Sequence, residues 1–104
     1  MGRTHKIKCW PEPFQALADG TKTFEFRRDD RGYMVGDRLD IGLWDPSRSL
    51  SPGHGSWIAE RGECVREHRD AWRLKFDVTY VLHGGRFGVP EGHVVMSIVR
   101  EGAS

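Results

Sequence analysis

A small α+β domain, mainly β, is the fold this sequence predicts, closed like a barrel and carrying one short N-terminal helix. Three observations lead there. Five segments alternate apolar and polar residues with a period of two, as half-buried strands do. A single segment, directly after the first strand, has helical spacing. The length of 104 residues, with 38% hydrophobic and 30% charged side chains, suits one folded unit, so residues 1–104 are read as a single domain.

Each element has its own reason. In Thr4 to Cys9, His5, Ile7 and Cys9 share one face and Lys6 and Lys8 the other. Pro11 and Pro13 stop the ladder but suit the first turn of a helix packed by Phe14 and Leu17, and Gly20 is placed to end it in the left-handed conformation. Thr23 to Arg28 alternates again; Phe24 and Phe26 are expected to point inward and Glu25 and Arg27 outward. Asp29 to Gly36 is a polar turn. Leu39, Ile41 and Leu43 then form an inward face, with Asp40, Gly42 and Trp44 outward. Trp72 to Leu82 is the longest alternation, with Trp72, Leu74, Phe76, Val78, Tyr80 and Leu82 on one side, long enough to bend round a barrel. His83 to Gly88 is Gly-rich turn chemistry. Val94, Met96 and Ile98 form the inward face of the last strand before a short tail, Glu101 to Ser104.

Residues 45–71 interrupt the pattern as one long excursion. Its first half is loop chemistry; its second is charged and reads as a short helix interrupted at Gly62. Compact domains seldom carry such an excursion without a use.

Composition excludes several functions. Sixteen Lys and Arg against fifteen Asp and Glu give a net charge of +1, so any nucleic-acid contact must come from a local patch rather than a bulk field. No apolar run reaches the roughly 20 residues of a membrane span. The start, MGRTHKIKCW, lacks the apolar core of a signal peptide, and Lys6 breaks the myristoylation pattern, so a cytoplasmic protein is expected. Cys9 and Cys64, far apart, read as thiols rather than a disulfide.

The stretch Gly20-Thr21-Lys22-Thr23-Phe24-Glu25-Phe26-Arg27 fits G-x-K-x-x-E-x-R, and with it the chain resembles the ASCH domain of the PUA-like superfamily. HKIKCWPEPFQALADGTKTFEFRRDDRGYMVGDRL and VTYVLHGGRFGVPEGHVVMSIV resemble the opening and closing of its small DUF3850 branch. The resemblance implies a small β-barrel with a cleft beside the helix, and an association with RNA, with modified bases or, in one branch, with hydrolysis of N4-acylated cytidine. Lys22 and Arg27 match the motif's lysine and arginine; Glu25 stands where the hydrolase branch has its nucleophilic threonine.

Read from the residues, Glu25 and Arg27 lie two apart on one strand face and pair, while Lys22 reaches that face only from the preceding turn. One acceptor between two cations suits a nucleotide: the carboxylate takes a base amine and the guanidinium a phosphate or carbonyl edge. Trp44 offers a plane for stacking a base or, alternatively, is covered by the excursion. Trp10 and Trp72 read as packing; Trp57 has no assignable place. Cys64 and His68 would share a helical face, but two ligands do not make a zinc site, and neither metal nor cofactor is expected. His5 reads as a partly buried, hydrogen-bonded histidine.

The expected function is therefore binding of RNA or a nucleotide, including one with a modified base, through Lys22, Thr23, Glu25, Arg27 and Trp44. One alternative is an amidohydrolase acting on an N4-acylated cytidine-type nucleoside, or a ribonuclease, with Lys22 as general base and Glu63, or else Glu60 or Glu67, as its carboxylate partner. The other is a protein-interaction module working through residues 45–71.

Overall fold

The computed structural model describes residues 2–49 and 53–102. In chain order they form β1 (Thr4–Cys9), α1 (Pro11–Asp19), β2 (Phe24–Arg28), β3 (Arg38–Asp45), β4 (Ser56–Ile58), β5 (Cys64–Val65), a 3-10 turn (His68–Asp70), β6 (Arg73–His83) and β7 (His93–Arg100). β1, α1, β2, β3, β6 and β7 lie where the sequence pattern puts them, whereas β4 and β5 fall in the excursion read as loop and charged helix. The expected barrel does not form: the strand path β2-β7-β6-β3-β4-β5, with β1 paired to β3 off it, is open. Its last strand, β5, has two residues, too few to carry a ladder further. The chain divides into two compact units, one of Lys6–Lys22 with Asp40–Leu74, the other of the residues up to His5, Thr23–Leu39 and the residues from Lys75 onward.

In the first unit, Pro11 opens α1 behind Trp10, whose extended backbone and carbonyl start the helix by accepting from Phe14 N–H at 2.9 Å. Gly20 closes it at φ 81°, where the N–H groups of Gly20 and Thr21 take up the last carbonyls, those of Leu17 and Ala16. Phe14 and Leu17 are buried with Ile7, Cys9, Ile41 and Ile58, and Phe14 meets Trp72 edge-on at 5.0 Å. Trp10, expected to pack, is exposed instead, because Ile7 and Cys9 hold the inward parity of β1 and the next side chain must point out.

The excursion is folded, and the expected charged helix is absent. Residues 56–65 form a hairpin, Trp57 pairing with Trp44 of β3 on one side and with Val65 on the other. Its turn is closed by Ala59 N–H to the Glu63 carbonyl at 2.9 Å, with Gly62 at φ 100°. Residues 50–52 of the loop half lie outside the described residues. Asp40 and Gly42, expected outward, are buried because this hairpin and the 3-10 turn cover their face.

In the second unit, β2, β7 and β6 are antiparallel, and Val94, Met96 and Ile98 are buried as the pattern predicts. Strand β2 is reversed. Glu25 lies opposite Met96 and Arg27 opposite Val94, so the two charged residues share the buried face, while Phe24 and Phe26 are 47% and 49% exposed. The partner strand overrode the local alternation. In β6, Phe76 and Val78 point inward, but the register against β7 slips between Val78 and Tyr80; this bulge at Thr79 turns Tyr80 out to 58% exposure. Phe87 and Gly88, at φ 53° and 80°, make the tight turn between the bridged Arg86 and Val89.

Candidate functional site

The residues singled out by the sequence are divided between the two units. Lys22 and Trp44 belong to the helix unit; Thr23, Glu25 and Arg27 belong to the other. Glu25 and Arg27 are brought together as expected, Arg27 Nη1 donating to Glu25 Oε2 at 3.1 Å. Glu25 is only 2% exposed, so its carboxylate is a buried group held by a guanidinium rather than an open acceptor. Thr23 accepts from Ile98 N–H through its carbonyl at 3.1 Å. Lys22 is half-buried in the turn after α1.

Around this pair lies a polar core that the motif alone does not reveal. The Tyr33 phenol is buried; burial pushes its pKa above the usual 10.0, against the smaller pull of Arg27 and Arg31. The His5 ring tilts against Tyr33 at 4.7 Å, and its Nε2 lies 2.8 Å from Asp37 Oδ2. Asp37 also accepts from the N–H groups of Arg3 at 3.0 Å and Met34 at 3.1 Å. Burial alone would raise the Asp37 pKa, but these hydrogen bonds outweigh it and hold the carboxyl below its ordinary 3.8. An ionised carboxylate only accepts, so His5 Nε2 carries the proton and donates it.

A second site forms in the helix unit, where the hairpin meets β1 and β3. Trp44 and Trp57 stand at 83° with centroids 5.2 Å apart, two walls of a groove of about 440 Å³ open to solvent. The Lys8 ammonium lies over the Trp44 ring, 3.8 Å from its centroid. His54 and Arg66 bring two further basic side chains to the lining, and no carboxylate is among the described lining residues. The groove is fixed from behind. His68 meets Trp57 edge-on at 5.0 Å and places Nε2 2.9 Å from the Asp40 carbonyl, while Arg73 donates to Asp40 Oδ2 at 2.9 Å. Gly42 leaves the space Trp57 needs: a Cβ there would sit 2.8 Å from the indole. Gly55, at φ 68°, packs as closely on Trp44, where a Cβ would come within 2.9 Å of Nε1.

The hairpin flanks Trp44 and leaves it half-buried at a groove, so the excursion covers it only in part. Sequence reasoning missed Lys8, His54, Trp57 and Arg66; the one available signal was the outward parity of Lys8 on β1.

The other candidates are placed as follows. Glu60, Glu63 and Glu67 are exposed, and Glu67 pairs with Arg69 at 2.6 Å. Cys64 lies on β5 and His68 in the 3-10 turn, so the helical spacing that linked them does not exist. Among the described residues no group of three or more His, Cys, Asp or Glu is arranged to hold a metal ion, and no helix is long and apolar enough to cross a membrane.

Fold and sites together define a small, mainly β protein with buried ionic groups around Glu25 and Asp37 and a basic, tryptophan-walled groove. The chain matches the model of the domain of unknown function DUF3850 over residues 4–98, and it belongs to that family. No curated protein matches it.

Proposed function

We propose that this protein is an ASCH/PUA-like module that binds RNA or a nucleotide, with the base stacked in the groove beside Trp44. The observation that carries this reading is the groove's composition: two orthogonal indoles, three basic side chains and no carboxylate among the described lining residues. Base–aromatic stacking contributes about 1–3 kcal/mol per base and tolerates any sequence. The Lys8 ammonium over the Trp44 face contributes about 0.5–1 kcal/mol, so a stacked base outcompetes it. The cations then meet the sugar–phosphate side, and a volume of about 440 Å³ falls within the usual range for small-molecule sites and suits one nucleotide rather than a long stacked run. The near-neutral net charge fits local recognition better than phosphate neutralisation along a duplex.

Glu25 and Arg27 belong to the other unit and frame that unit rather than this groove. The buried carboxylate holds the Arg27 guanidinium at 3.1 Å.

The test is fluorescence anisotropy with short single-stranded RNA and duplex DNA at about 50 and 200 mM salt, for the wild type and Trp44→Ala. Saturable binding of RNA that weakens about 5- to 100-fold in Trp44→Ala is expected. A protein that binds RNA, DNA and free nucleotides no better than background contradicts the proposal. Release of cytidine from N4-acetylcytidine in the same samples would replace it with the hydrolase reading.

A further inference from the structure

We infer that the groove selects phosphate-bearing nucleotides over free nucleosides, and that Lys8 is the residue that enforces the choice. This deepens the nucleotide-binding reading and rests on it. Lys8 projects from the outward face of β1, and its ammonium already occupies the Trp44 face at 3.8 Å. Trp57 stands at 83° to the Trp44 ring, and Gly55 packs against the indole edge. A base that stacks on this face of Trp44 displaces the Lys8 ammonium.

What happens to the displaced cation decides the specificity. A neutral nucleoside offers no anionic acceptor in exchange for the lost cation–π contact. A nucleotide supplies phosphate oxygens, with which an ammonium forms a charge-assisted hydrogen bond stronger than the contact it gave up. His54 and Arg66 line the same groove and would reinforce that preference without covering the ring. The ligand thus offers Lys8 an anionic acceptor in place of the ring contact only when it carries phosphate. Removal of Lys8 should act with opposite sign on the two ligand classes.

The experiment titrates the full chain with cytidine and with cytidine 5′-monophosphate by isothermal calorimetry, for wild type, Lys8→Met and Lys6→Met. Methionine keeps the length and apolar stem of lysine while deleting the charge. Lys6 shares the strand and the outward parity of Lys8 but is not among the groove's lining residues, so it controls for general loss of charge. The wild type should bind the monophosphate about tenfold more tightly than the nucleoside or better. Lys8→Met should weaken the monophosphate about tenfold while the nucleoside binds as well as or better than to wild type; Lys6→Met should change neither by more than about twofold. Equal affinity of the wild type for both ligands overturns the inference and leaves nucleotide binding standing. Parallel weakening of both ligands in Lys8→Met also overturns it, since a merely structural or bulk-charge role moves both the same way. Absence of binding by either ligand and by RNA overturns both.

Discussion

Glu25 is 2% exposed and gripped by Arg27 on β2, whereas Trp44 on β3 stands at an open groove beneath the ammonium of Lys8. Both regions depart from simple strand patterning, and they do so for different reasons. On β2 the carboxylate is buried and two phenylalanines are turned outward, an arrangement that costs stability unless every charge is paired. On β3 both faces are covered, yet one tryptophan keeps access to solvent and to three basic side chains. The first arrangement holds residues in place and the second leaves room for a ligand. An ionic motif that stands out in a sequence can thus serve as the frame, while the cavity forms from residues that no motif marks.

The largest way to break the frame is Asp37→Ala. It removes the acceptor of His5 and of two backbone N–H groups, and it should cost about 3–5 kcal/mol in urea denaturation. The same carboxylate sets an acid limb. Its pKa is depressed below the ordinary 3.8, so the stability it contributes is complete above that value and is lost as pH falls through the lower folded value. Asp37→Asn should therefore flatten the decline of stability below about pH 4.

In the groove, Gly42→Ala is the counterpart. A methyl group 2.8 Å from the Trp57 ring and 2.9 Å from His68 forces the indole to move, at about 1–3 kcal/mol in stability, and RNA binding should fall with it. Outside both regions, Phe26→Ser loses only a half-exposed ring stacked on His93 at 5.3 Å, and thermal denaturation should register less than about 1 kcal/mol. A larger loss there would mean that the outward face of β2 is covered by something other than solvent.

Legibility in the sequence follows the range of the contacts. In β1, α1 and β7 each element shows its buried side by its own period, and His5, Phe14, Leu17 and Met96 lie where that period puts them. Strand β2 misleads because Phe24 and Phe26 have the stronger local signal, but their orientation is set by pairing with β7, some 70 residues away in sequence. Strand β6 is legible up to Val78 and not beyond, since one bulged residue at Thr79 inverts the parity. The Glu25–Arg27 pair was visible because its members are two residues apart. The groove was not, because Lys8, Trp44, Trp57 and Arg66 come from separate strands and the hairpin flanks, and are joined only by tertiary folding.

The most direct test of the central claim is a heteronuclear NMR titration of the isotopically labelled protein with a short single-stranded RNA, following the indole N–H signals of the four tryptophans. Saturable shifts at Trp44 and Trp57, with Trp10 and Trp72 unmoved, are the predicted result. Shifts confined to the backbone around Glu25 and Arg27, with Trp44 silent at saturation, would contradict it and move the ligand to the buried cluster.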